Sequence, residues 1–171
     1  MGLFSSHEKL PTLEDLLHHE LRDLYSAETQ LIEALPKMAK TASDESLRTA
    51  FTEHLEETRG QRERLSEIAR VLNIEITGHT CEAMKGLVKE GEEIIKSEAN
   101  PAVKDAGLIG AAQRVEHYEM AGYGTAHALA TELGYQEVSR LLDETLQQEK
   151  NADTKLNDIA INRVNQRAHQ L

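Results

Sequence analysis

At 171 residues, with 39% hydrophobic side chains, the chain is long enough to bury a core without disulfide staples. A formal charge of −11 argues against nucleic acid or an anionic membrane as partner, since either needs a basic face to displace counterions. The single cysteine, Cys81, excludes an intrachain disulfide framework and an all-cysteine zinc site, and suits a reducing cytoplasm.

Abundant Leu, Ala, Glu, Gln and Lys with only three prolines favour an all-α fold, read as one domain over residues 1–171. No run approaches the roughly 18 apolar residues of a membrane span, and no apolar signal core stands near the N-terminus. Met1-Gly2-Leu3-Phe4-Ser5-Ser6 matches the short myristoylation pattern but reads as a disordered start.

The first helix is predicted over about 12–40, with Thr12 as N-cap and Asp15 at capping-box distance. Its stripe reads Leu17, Leu21, Leu24, Glu28, Leu31, Leu35, Met38, so a carboxylate occupies an apolar position. Pro36 should kink the helix or mark its last turn. The second helix, about 43–73, is capped by Ser43. Its stripe of Leu47, Phe51, His54, Thr58, Gln61, Leu65, Ile68 and Leu72 is polar in the middle and flanked there by Glu57. A shorter helix over about 82–97 lies in a crossover long enough to set the next long helix parallel to the second.

Asn100-Pro101 starts the third long helix, about 101–133, as cap and first helical residue, and Gly134 ends it. Its inner face carries Leu108, Ala112, Glu116, Glu119, Tyr123, Ala126 and Ala130. The fourth, about 135–165, has the stripe Val138, Leu142, Thr145, Glu149, Ala152, Leu156, Ile159, with Asp153 one turn beyond Glu149. Val103, Leu108 and Ile109 are the apolar residues available for an outer docking face.

These breaks in apolarity share one height. Glu28 lies fourteen residues before the turn at Ala42 and Glu57 fifteen after it; Glu119 and Glu149 each lie fifteen from Gly134. At about 1.5 Å per residue, all four levels sit roughly 22 Å from their loops, as in two helical hairpins of matching design. Burying ionised groups costs several kcal/mol per ion unless a counter-charge compensates, and Arg59, Arg62 and Arg114 do not share these inner faces. The carboxylates therefore read as metal ligands. Such an oxygen-rich set suits iron or manganese, with magnesium, calcium or zinc as other occupants, and two bridged cations neutralise it better than one. Tyr25 and Tyr123, one turn from Glu28 and Glu119, are positioned to hydrogen-bond the layer.

The motifs Asp23-Leu24-Tyr25-Ser26-Ala27-Glu28, His54-Leu55-Glu56-Glu57-Thr58, Val115-Glu116-His117-Tyr118-Glu119, Leu133-Gly134-Tyr135 and Glu149-Lys150 with Asp153 resemble those of ferritin-like four-helix bundles. Within these, they resemble the small bacterial stress proteins typified by YciF. The resemblance implies a ferritin-like bundle, a homodimer, a di-metal centre and a link to stress response. By position it carries ligand roles onto Glu28, Glu57, Glu116, Glu119 and Glu149. Where ferritins and rubrerythrins have histidines, Gly60 and Asp153 stand instead, leaving Gln61, His54 or Asp153 to complete the shell. The activity to be tested is a di-metal oxidoreductase of rubrerythrin or ferroxidase type acting on oxygen or peroxide. The alternative is a non-enzymatic helical dimer that binds metal or a protein partner during stress.

Overall fold

The computed structural model describes residues 9–170, and every regular element among them is helical. The Met1–Ser6 pattern lies outside the described residues. Helices α1 (Leu13–Thr41) and α2 (Glu45–Leu72) form one hairpin, with α3 (Glu82–Lys96) following in the crossover, and α4 (Pro101–Glu132) and α5 (Gln136–Ile159) form the other. α1 also packs on α4, α2 on α5, and α3 covers α1 and α4. Asp105, near the start of α4, accepts hydrogen bonds from Ser43 N at 2.8 Å, Ser43 Oγ at 2.5 Å and Asp44 N at 2.8 Å. The crossover thus returns the chain to the end where α2 begins, and α4 runs parallel to α2. This is a ferritin-like four-helix bundle with a short extra helix in its long crossover.

Local chemistry accounts for most of the boundaries. Thr12 and Asp15 form the reciprocal capping box at the start of α1. Asn100 Oδ1 accepts from Ala102 N at 3.1 Å beside Pro101 at the first position of α4. Gly134, at φ +77°, makes the left-handed turn between α4 and α5. Two expectations are corrected. The cap of α2 is Asp44, whose carboxylate accepts from Ser46 N at 2.9 Å and Leu47 N at 3.3 Å, because the Ser43 hydroxyl is drawn to Asp105. Leu108 and Ile109 are not on an outer face: they are 0% and 2% exposed, in one apolar cluster with Met84 of α3, while Val103 alone of the three is exposed.

The last helix is also less regular than its pattern suggests. A π-helical turn, Ala160–Val164, precedes α6 (Asn165–His169). The wider turn buries both Ala160 and Val164 and sets Arg163 and Arg167 against Asp44, with Arg167 Nη1 2.9 Å from Asp44 Oδ2.

Burying each large aliphatic side chain contributes about 1.5–3 kcal/mol, and the bundle collects these into two separate halves. One contains Leu31, Leu35, Phe51, Leu108, Ile109 and Leu156; the other Leu17, Leu21, Leu24, Leu65, Ala126 and Leu142. At Gly122 a Cβ would stand 2.8 Å from Leu24 Cδ2, so glycine there lets α1 and α4 approach. No helix among the described residues is long and apolar enough to cross a membrane.

Candidate metal centre

Between the apolar halves lies a layer of acids. Glu28 of α1, Glu119 of α4 and Glu149 of α5 are 0% exposed, Glu116 of α4 is 2% and His54 of α2 is 7%. Glu116 and Glu119 share a face by their i, i+3 spacing on one helix. His54, Glu116, Glu119 and Glu149 each bring one donor atom within 4.8 Å of all the others. Glu28 stands beside them, electrostatically coupled to Glu119 and Glu149, with its Oε1 accepting from the buried Tyr123 hydroxyl.

Internal compensation is partial: the Tyr123 hydroxyl and the charges of Arg64 and Arg62 favour the ionised form of Glu28, and the His54 ring that of Glu149. Both oxygens of Glu119 and of Glu149, Oε2 of Glu28 and Oε2 of Glu116 are buried without a hydrogen-bond partner, as are His54 Nε2 and Gln61 Oε1. His54 Nε2 is 3.3 Å from Glu116 Oε1 and 3.8 Å from Glu149 Oε2. Among the described residues no lysine or arginine forms an ion pair with any of the four glutamates. Burial pushes Glu28, Glu116 and Glu119 well above the usual carboxylate range, and neighbouring glutamates push them further. Glu149 is raised for the same first reason, with His54 working against the shift. Such a set holds protons where no cation is present and is ready to exchange them for one.

Glu57 is placed differently. Its side chain is 47% exposed and takes a 3.3 Å contact from His54 Nδ1, a hydrogen bond that holds its carboxyl below the usual range. A carboxylate can only accept, so this bond puts a proton on Nδ1 and leaves Nε2, on the centre side, as the donor atom for a metal. Height across a hairpin fixes a level, not the azimuth around a helix. At the level of the layer α2 turns His54, Thr58 and Gln61 inward and Glu57 to the rim. Gln61 is 1% exposed, its Nε2 donating to Gln148 Oε1 at 3.3 Å. Asp153 is also at the rim, accepting from Gln113 Nε2 at 3.1 Å and lying 3.4 Å from His117 Nε2.

Arg64 is a contributor that the sequence pattern left unremarked. It seals one side of the layer by donating to Thr145 Oγ1 at 2.7 Å, Gln148 Oε1 at 3.2 Å and Glu144 Oε1 at 2.6 Å. Its position three residues after Gln61, on the same helical face, is the signal that could have found it. Tyr123 hydrogen-bonds the layer as its spacing predicts. Tyr25 is only partly buried, against the Leu17–Leu65 half. Tyr118 instead turns outward to donate to Asp23 beside Cys81, 3.1 Å from its Sγ.

Comparison with known proteins agrees with this architecture. The family DUF892, a domain of unknown function, matches residues 12–169. Protein YciF of Escherichia coli strain K12 is 50% identical over 160 residues, covering 93% of this chain and 96% of the relative. The crystal structure of the E. coli stress protein YciF superposes with a TM-score of 0.88 over 91% of this chain and 99% of that one. YcfI from Rhodopseudomonas palustris superposes with a TM-score of 0.86 at 45% identity, over 93% and 100% of the two chains. A Xanthomonas campestris protein at 22% identity, with a TM-score of 0.73 over 94% and 100%, shares the fold. Matched from the first helical cap to the end of the last helix, and half identical to YciF, this chain belongs to the DUF892 family as a YciF-like stress-protein relative.

Proposed function

We propose that the protein is a carboxylate-rich di-metal protein that binds two iron or manganese ions and reacts with oxygen or peroxide during stress. The observation that carries this reading is the layer of orphaned, fully buried carboxylate oxygens enclosed between two apolar halves. Glu28, His54, Glu116, Glu119 and Glu149 would hold the ions, with Gln61 Oε1 available as a neutral oxygen donor. Two divalent ions balance four buried carboxylates, whereas one leaves excess negative charge in a site that tolerates little.

Bound iron or manganese would supply one-electron chemistry toward oxygen species. The chain's own residues supply the setting. Tyr123 fixes the Glu28 carboxyl, Glu57 fixes the His54 tautomer, and the flanking leucines keep bulk water out. Asp153, tied to Gln113 and His117, acts from the rim. The homodimer implied by the likeness to YciF-type proteins and a cytoplasmic setting belong to the same proposal. Light scattering in solution tests the dimer.

Ferrous loading without oxygen, followed by peroxide, tests the redox claim. Ferric absorbance should develop faster than in buffer, and Glu119→Ala should abolish the difference. Loading without any oxidation above the buffer rate would remove the chemistry and leave a metal-binding protein, the non-enzymatic alternative.

A further inference from the structure

A cavity of about 90 Å³ among α2, α4 and α5 is lined by apolar Phe51, Ala152 and Leu156 and by polar His54, Glu57 and Glu116. Its lining includes both exposed side chains and two buried residues of the centre. Its inner lining includes Glu116 at 2% exposed and His54 at 7%, while the side chains of Glu53, Glu57 and Lys155 at its outer edge are 57%, 47% and 49% exposed. The orphaned atoms Glu116 Oε2 and His54 Nε2 belong to two of the inner lining residues. Lys155 is ion-paired to Glu53 and also acts electrostatically on Glu57, so one ammonium serves two carboxylates at the mouth.

We propose that this cleft is the portal through which divalent cations reach the centre, with Glu57 as a transit ligand and Lys155 as the gate. The proposal rests on the metal-centre reading and adds the route to it. An arriving dication competes with the Lys155 ammonium for Glu53 and Glu57, because a doubly charged ion gains more from the pair than a single charge does. Glu57 then stands one hydrogen bond from His54, whose Nε2 faces the buried acids, so a cation on Glu57 is adjacent to its final ligands. The cavity of about 90 Å³ equals about three waters at roughly 30 Å³ each, so it takes a dication that has shed part of its hydration shell and is too small for a metal carried in an organic chelate. The apolar wall offers no ligand, and beyond the carboxylates and His54 the lining adds one further side-chain oxygen donor, the neutral amide of exposed Asn151.

The test is stopped-flow uptake of Co²⁺ by full-length protein stripped of metal with EDTA and desalted, read by the cobalt absorbance, with the final Co²⁺ content measured by elemental analysis. Glu57→Gln keeps an acceptor for His54 but removes the charge. It should slow uptake about tenfold, within the range that electrostatic steering spans, at an unchanged final content. Ala152→Phe, which fills the cleft, should slow it similarly. Lys155→Ala, an exposed change that leaves the core alone, should speed it. Glu132→Gln, the same charge change at a distant exposed position, should leave the rate as in the unmodified chain. Cobalt–citrate should load far more slowly than the aquo ion.

Unaltered rates in Glu57→Gln and Lys155→Ala would overturn the portal while leaving the metal centre standing. A lower final content in Glu57→Gln would make Glu57 a resident ligand and overturn its transit role. No cobalt uptake by the unmodified chain would defeat the metal reading itself, and the portal with it.

Discussion

Glu119 has both carboxylate oxygens buried and unpartnered and is 0% exposed, a state the metal-free fold tolerates only by keeping the group protonated. Holding an acid neutral above its unfolded pKa costs about 1.4 kcal/mol for each pH unit. Glu119→Gln removes that penalty, so the metal-free variant should melt well above the unmodified chain at pH 8 and only slightly above it at pH 5. About 2–4 °C per kcal/mol is expected for a chain of this size. The same variant should lose the thermal gain that added Mn²⁺ gives. Thermal melts with EDTA or Mn²⁺ at the two pH values check both halves, and a destabilised metal-free variant at pH 8 would contradict them.

The four raised carboxyls set the sign of the wider pH dependence. Above the ordinary carboxylate range the unfolded chain has released protons that the metal-free fold still holds, so unfolding is favoured as pH rises. Metal-free protein should therefore be less stable at pH 8 than at pH 5. Metal-loaded protein should show the reverse, since acid competes with the cation for the same oxygens. Denaturant titrations at both pH values decide it.

At this scale much of the buried layer was legible. Glu28, Glu116, Glu119 and Glu149 are found where apolar stripes are interrupted. Glu57 and His54 were not separable in that way, because the stripe and the height rule point to neighbouring positions on α2 and only packing against α5 fixes which one faces inward.

Among the elements, the hairpin ends depend on tertiary partners more than on local caps. Asp105 of α4 holds Ser43 and Asp44 at the start of α2, and Asp44 in turn holds Arg163 and Arg167 at the chain's far end. Asp105→Ala strands the buried Asp44 amide and releases the exposed Ser43, and should cost about 1–3 kcal/mol, the penalty for one buried group left unpaired. Bound metal per folded chain should be unchanged. Urea unfolding beside elemental analysis separates the two, and loss of metal from a fully folded variant would mean that this joint shapes the centre.

These contacts explain which boundaries the sequence could not show. Thr12, Asn100-Pro101 and Gly134 act within a few residues and are readable. The displacement of the α2 cap from Ser43 to Asp44 depends on a residue some sixty positions away. The π-helical turn is answered by packing and by Asp44, neither visible in a helical repeat.

For the molecule as a whole, one polar layer divides the apolar interior, and the two hairpins each contribute to it from both of their helices. The crossover length foretells that α4 runs parallel to α2, and this brings all four helices to one level. The interior would be more stable without its acids were stability their purpose, as buried charge rarely adds to it. Under the proposed function, their presence is explained by the cations they would hold.

Metal content after equilibration of the stripped full-length protein with Fe²⁺ under anaerobic conditions, and separately with Mn²⁺, tests that claim most directly. About two ions per chain should be retained, as in di-metal carboxylate bundles, falling to one or none in Glu119→Ala and Glu149→Ala variants that remain folded. A folded, unmodified chain that retains neither ion after desalting would contradict it.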